Sequence, residues 1–219
     1  GKTRTVGVPI HADYQPVDAH KRNHFKHELG LERFDKVLFV TGGGLGAQRL
    51  NDAIEALLPK LLAAMPELAV IQSVGRLHEG EIKQRYEQLL TPEDQRRVIV
   101  KGFVTDMHRY SAAADVIIQR AGATALAEFA VQQKACIIVP NPVLTGGHQL
   151  KNASYLAQKG ACIVVRETEV AAKLYDVTYA LLNDAMQQHV LGEELAKFEV
   201  PDAAKQLAMV LLEQAQPLK

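Results

Sequence analysis

Neither sign of charge dominates this sequence: its 219 residues carry 25 Lys and Arg against 25 Asp and Glu. The chain as a whole therefore offers no electrostatic case for a nucleic-acid partner or an anionic membrane surface, and no nucleic acid is expected among its partners. Cysteine is scarce as well. Cys136 and Cys162 each lie inside an apolar, strand-like run, where a free thiol behaves as a small buried hydrophobe; a disulfide framework and a zinc spacing are both excluded. No window approaches the roughly 20 apolar residues of a membrane span. The opening GKTRTVGVPIH lacks the continuous apolar stretch of a signal peptide, so the chain reads as a soluble protein of a reducing compartment. Internal repeats and low-complexity segments are absent too. What remains is one large domain, or a domain with appendages.

After a polar opening rich in His and Lys, short β-branched runs alternate with helical patterns, which predicts βαβ units around a parallel sheet. The expected strands are Lys36–Thr41, Ala69–Val74, Arg97–Lys101, Asp115–Gln119, Ala135–Pro140 and Ala161–Arg166. Most are almost continuously apolar, as strands covered by helices on both faces should be. Apolar residues at helical spacing predict helices near Ala47–Met65, Glu79–Leu90, Met107–Ala113, Ala123–Gln133 and Gln149–Lys159. Beyond Arg166 only helical segments follow, among them Glu169–Asn183 and Pro201–Gln214, with Pro201 suited to a first helical turn. These last helices are expected to cover an open edge or reach toward a neighbouring domain. The fold class is thus α/β, a single Rossmann-like parallel sheet with helices on both faces. Residues 1–30 read as a linker, 31–200 as the Rossmann-like domain and 201–219 as a C-terminal helix.

Three segments carry candidate chemistry. Gly42-Gly43-Gly44-Leu45-Gly46-Ala47 follows the first strand directly and precedes a helix. Glycines there let the backbone approach a phosphate, and the helix start offers unpaired N–H groups; alone, the same pattern serves equally well as a tight turn. It departs from the dinucleotide fingerprint, since Gln48 stands where the helix-packing glycine or alanine belongs, and no acidic residue ends the second strand, where Val74 leads into Gly75-Arg76. The second segment, Arg120-Ala121-Gly122-Ala123-Thr124-Ala125-Leu126-Ala127-Glu128, again lies just beyond a strand and opens a helix. Glu128 falls about one turn in, where a carboxylate can accept from both hydroxyls of a ribose, or simply sit on the surface favoured by the helix dipole. The third, the turn-rich Pro140–Gly147 followed by His148 and Gln149, brings groups that both donate and accept to the carboxyl end of the sheet.

Together, in order and spacing, these segments resemble the C-terminal domain of glycosyltransferase family 28, most closely its peptidoglycan N-acetylglucosaminyltransferases. The residues carrying the resemblance are Gly42–Ala47 with Gln48-Arg49-Leu50-Asn51, Gly102-Phe103-Val104-Thr105-Asp106-Met107, Arg120–Glu128, and His148-Gln149 with Asn152-Ala153. Gly7-Val8-Pro9-Ile10 is similar to the family's inter-domain Gly-Asn-Pro-Val. The resemblance implies the C-terminal half of a GT-B fold, holding a UDP-sugar, most closely UDP-N-acetylglucosamine. Backbone groups around Phe103 and Val104 would meet the uracil. Gly43, Gly44, Leu45 and Gly46, with Gly122, Ala123, Thr124, Ala125 and Leu126, would line the diphosphate, Glu128 would take the ribose, and His148 and Gln149 would face the sugar. Two positions depart from the pattern: Gly44 replaces a phosphate-contacting serine, and His11 an arginine.

An inverting transfer needs a base for the acceptor hydroxyl and a means to stabilise departing UDP. Helix N-termini can meet the second need; no acidic pair has metal-ligand spacing, so no metal or cofactor is expected. The resemblance places the acceptor-binding half and the catalytic base in an N-terminal domain or separate subunit, with a lipid-linked undecaprenyl-diphosphate-muramoyl-peptide acceptor at the inner face of the cell membrane. The chain would then be an excised domain or one partner of a split transferase. A non-catalytic nucleotide-sugar-binding subunit, a NAD-dependent oxidoreductase and a UDP-sugar epimerase are the alternatives.

Overall fold

The computed structural model describes residues 3–43, 47–141 and 148–215, with His148 described in its backbone alone. Six parallel strands form one sheet in the order β3-β2-β1-β4-β5-β6: β1 (Lys36–Thr41), β2 (Leu68–Ser73), β3 (Val98–Lys101), β4 (Val116–Gln119), β5 (Ala135–Ile138) and β6 (Ile163–Val164). The expected parallel sheet, covered on both faces, is what forms. Side chains alternate across it. Leu38, Val40, Val70, Val116 and Ile118 face one core, which is closed by α2 (Gln48–Ala64), α3 (Glu79–Leu89) and α8 (Val170–Leu182). Val37, Phe39, Ile71, Ile117 and Cys136 face the other, closed by α5 (Met107–Ala113), α6 (Ala123–Val131) and α7 (His148–Gln158).

Strands β5 and β6 are shorter than their apolar runs predict. Each still extends the ladder by one bond, Val139 N–H to Gln119 O (2.8 Å) and Val165 N–H to Ile138 O (3.0 Å); Pro140 then offers no N–H to continue it. Cys136 and Cys162 are both buried thiols, as their apolar surroundings predict.

Three helices escape a reading by periodicity. The segment 1–30 contains α1 (Ala19–Glu28), capped by Asp18, whose side chain accepts from the Lys21 N–H at 2.8 Å. Its sequence AHKRNHFKHE has no apolar stripe. It docks instead through an ion pair, Arg22 to Asp115 at 2.5 Å, while the second Asp115 oxygen accepts from the Val37 N–H at 2.7 Å. The short α4 (Pro92–Gln95) is capped by Thr91. The third, α9 (Ala185–Ala196), capped by Asp184, packs against β5 and α6. The last helix, α10, runs over Ala203–Ala215, so Pro201 lies outside it; the turn needs Asp202 at φ 56°, from which the Asp202 carbonyl accepts the Gln206 N–H at 2.9 Å.

At Gly192 the backbone of α9 approaches another segment too closely for a side chain. A Cβ there would lie 2.2 Å from the Gln133 carbonyl oxygen and 2.9 Å from its carbon. Both are backbone atoms, in a turn already held at φ 55°, so neither can swing away. Glycine to alanine inside a helix ordinarily stabilises by up to ~1 kcal/mol; at this contact the sign reverses. Gly192→Ala is expected to cost about 1–3 kcal/mol, the range for overpacking, and urea unfolding of the two proteins measures it. A gain in stability would mean that α9 does not sit on this turn.

Candidate functional site

The strand order places a topological switch point between β1 and β4, the place where open α/β sheets bind ligands at the carboxyl ends of their strands. Thr41 and Gln119, the last residues of these strands, are register partners. From this level the two connections diverge, β1 to α2 on one face and β4 to α6 on the other. Neither Ala47 at the start of α2 nor Gly122 at the start of α6 supplies a side-chain cap. Two helix N-termini, each carrying about half a positive charge, therefore open on either side of one crevice.

The crevice is lined by small residues. Gly43 sits at φ 85°, a left-handed conformation that glycine adopts without penalty, and its N–H donates to Thr41 Oγ1 at 3.3 Å. Gly44, Leu45 and Gly46, three of the expected phosphate contacts, lie outside the described residues. Among the described residues, and apart from its own chain neighbours and helix backbone, Gly122 has no atom within 4 Å of where a Cβ would stand. Ala123 and Thr124 are exposed and Ala125 is half-buried. Leu126 differs: its side chain is buried in the core and its N–H donates to the Gly122 carbonyl at 3.0 Å.

Two strands away from β1, Gly102, Phe103 and Val104 follow β3. At a spacing of about 4.8 Å between strands, they stand roughly 10 Å from the glycine-rich turn along the same edge. A Cβ at Gly102 would meet Glu79 Oε2 at 2.6 Å, and that oxygen accepts the Gly102 N–H at 2.8 Å. The glycine thus ties this turn to α3. Lys83, then the Gly102 N–H, holds the Glu79 carboxyl below its ordinary range. Val104 is buried, so it offers only backbone. Phe103 is exposed on one face, with the Arg76 guanidinium 4.1 Å from its ring centroid. Arg76 follows the end of β2, where a NAD-binding sheet would carry its ribose-binding acid.

Glu128 lies five residues into α6 from Ala123, about 7.5 Å along the helix axis. It is half-buried, and this burial raises its pKa against the opposing pull of a hydrogen bond from Tyr14. Tyr14 belongs to the extended segment that precedes α1 and packs edge-on against His108, ring centroids 6.0 Å apart. Burial, then the neighbouring Glu128 charge, pushes the Tyr14 phenol upward, so it stays a donor. His11, on the same segment, is exposed and pairs with Asp13 at 3.1 Å. Gln149, the second residue of α7, accepts the Asn141 N–H at 3.0 Å through its amide oxygen.

Sequence reasoning did not assign Arg120, Arg49, Glu167 or Tyr14 a place in the site. Arg120 is buried; it donates to the Val139 carbonyl at 3.0 Å and to Glu167 Oε1 at 2.8 Å, while Arg49 reaches Glu167 Oε2 at 2.9 Å. This bridge joins the segments that follow β1, β4, β5 and β6. Desolvation works to raise the Glu167 pKa, but the two guanidiniums outweigh it and hold the carboxyl below its ordinary range. Arg120 belongs to a segment singled out for its glycine and glutamate; only the presence of a basic residue at the end of a buried strand hinted at a buried partner.

Residues 37–207 match the glycosyltransferase family 28 C-terminal domain. The chain is 32% identical over 209 residues to the UDP-N-acetylglucosamine--N-acetylmuramyl-(pentapeptide) pyrophosphoryl-undecaprenol N-acetylglucosamine transferase of Cytophaga hutchinsonii, covering 95% of this chain and 53% of that protein. It is 33% identical to the protein of the same name from Bacteroides thetaiotaomicron, over 86% of this chain and 50% of the relative. The chain thus spans about half the length of the curated relatives it matches. Among solved structures, Acinetobacter baumannii MurG superposes with a TM-score of 0.66 at 22% identity, over 88% of this chain and 53% of that one. WaaG, a glycosyltransferase involved in lipopolysaccharide biosynthesis, gives 0.68 at 17% identity, over 95% and 55%. At such identities the likeness concerns the fold alone, an open parallel α/β sheet that spans about half of each of these chains. The family match, in contrast, covers all six strands and the segments at their carboxyl edge, and by it the chain belongs to glycosyltransferase family 28, as a C-terminal domain.

Proposed function

We propose that this chain is the donor-binding half of an inverting glycosyltransferase that takes N-acetylglucosamine from UDP-N-acetylglucosamine to a lipid-linked acceptor, the undecaprenyl-diphosphate-muramoyl peptide. The names of its curated relatives support both substrates. The observation that carries the reading is the half-buried Glu128 carboxylate, about 7.5 Å along α6 from its start, on one of two helices that open at the switch point without side-chain caps. The diphosphate lies across the helix starts and the turns at Gly43 and Gly122. The ribose hydroxyls donate to Glu128, and the uracil meets the backbone of Phe103 and Val104. As the glycosidic bond breaks, charge grows on the leaving diphosphate where the N–H groups already point, and this is the form of stabilisation that contributes most to such steps.

The acceptor and the base that deprotonates it belong to a partner domain or subunit. Residues 1–30 join the halves, 31–200 hold the donor, and the helix within 201–219 covers an open edge or reaches toward the partner. The complete transferase works at the inner face of the cell membrane, where its lipid-linked acceptor is anchored. Calorimetric titration with UDP-N-acetylglucosamine, UDP-glucose, UDP and NAD tests the donor site. Saturable binding of uridine nucleotides, with preference for the N-acetylated sugar, is the expected result; binding of NAD alone would overturn the reading. Transfer to acceptor once the other half is supplied separates a transferase from a non-catalytic nucleotide-sugar-binding subunit.

A further inference from the structure

The bridge at the carboxyl edge of the sheet holds two positive charges and one negative, so it carries a net positive charge next to the crevice. Its two arginines are not equivalent. The Arg120 side chain is 8% exposed and is fixed at both ends, by Val139 and by Glu167. Its Nε is buried without a partner among the described residues. The Arg49 side chain is 72% exposed and meets Glu167 through a single 2.9 Å contact. It is the second residue of α2, directly beyond the glycine-rich turn.

We propose that Arg49 is a ligand of the donor diphosphate, paired with Glu167 beside the crevice and passed to the phosphates when nucleotide binds. This assignment rests on the donor-half reading. The exchange is favourable because Glu167 remains neutralised by Arg120 after Arg49 leaves, so no buried carboxylate is stranded. What is given up is an exposed ion pair, a weak contact. What is gained is a charge-assisted contact between a planar guanidinium and a phosphate, a geometry arginine matches with two parallel N–H groups. The exchange also supplies the crevice with a permanent cation.

The test compares wild type with Arg49→Ala and Arg49→Lys, titrating UDP and UDP-N-acetylglucosamine by calorimetry and uridine by NMR. For Arg49→Ala, affinity for both diphosphates falls about ten- to a hundredfold, the range for one charged hydrogen-bonding group, while uridine affinity is unchanged. Arg49→Lys recovers part of the loss, and the melting temperature stays near that of wild type because Arg49 is exposed. Equal diphosphate affinity in wild type and Arg49→Ala would overturn the assignment. So would an equal loss for uridine, which would make the residue structural. Failure of wild type to bind any uridine nucleotide would overturn the donor reading and the assignment with it.

Discussion

Replacing Glu128 with alanine is expected to weaken UDP-N-acetylglucosamine binding by at least about 3 kcal/mol, roughly a hundredfold, since hydrogen bonds to a charged group contribute about 1.5–3 kcal/mol each and the ribose supplies two. The fold should not suffer. Glu128 is an acid whose folded-state pKa is raised, chiefly by burial. Its ionised form therefore subtracts stability above the unfolded pKa, and the penalty is relieved as pH falls through the raised folded value. At neutral pH the alanine variant loses a buried charge together with its Tyr14 contact, and a melting temperature at or above that of wild type is expected. The same shift gives a pH signature. Ribose hydroxyls need the carboxylate, so affinity should fall on acidification at a pH above the ordinary carboxylate range, and Glu128→Gln should lack this limb. Titrations of wild type and both variants across acidic to neutral pH decide the matter. An alanine variant that binds like wild type removes Glu128 from the ribose site.

Much of the fold is legible because its strands are covered on both faces. Runs such as KVLFVT and ACII need no alternation to be recognised, and the glycine-rich turn after the first fixes where the crevice lies. Helix α1 is not legible in this way, since Arg22–Asp115 does for it what an apolar stripe does elsewhere. Nor is α9, where Leu191 and Leu195 are buried around a close backbone approach at Gly192 without a full apolar stripe. The site divides along similar lines. Glu128 follows from its offset within a helix that opens at a strand end. Its contact with Tyr14 joins segments distant in sequence, and nothing local announces it. Leu126 lies inside the motif yet turns its side chain to the core, because helical geometry sends neighbours on one stretch of chain to different faces.

The other large effect expected concerns what holds the crevice in shape. Arg120 leaves β4 at the switch point and is bonded 47 residues away to Glu167, and its backbone carbonyl accepts the Gly122 N–H at 2.9 Å. Removing one partner of a buried ion pair costs about 3–5 kcal/mol when the other charge is left uncompensated; here Arg49 still meets Glu167 Oε2 at 2.9 Å but is exposed, so the lower end of that range applies. Arg120→Ala should reach that lower end, which for a chain of this size is a melting-temperature loss of roughly 10 °C. The orphaned groups would be Glu167 Oε1 and the Val139 carbonyl. The pH dependence should change as well. Desolvation pushes the Glu167 carboxyl upward, but the guanidiniums of Arg120 and Arg49 prevail and its pKa is depressed. A depressed folded-state pKa contributes stability above the unfolded pKa that is lost as pH falls through the folded value. Without Arg120 only the exposed Arg49 opposes desolvation, so that acid-side loss should shrink. Arg120→Ala combined with Glu167→Ala should recover part of the stability, since it removes both charges together, and the recovery measures their coupling. Thermal and urea unfolding of the single and double variants over a range of pH give all three quantities. An Arg120→Ala protein within 1 kcal/mol of wild type, an estimate well under the cost of breaking a buried pair, would show that the bridge does not hold the edge of the sheet together.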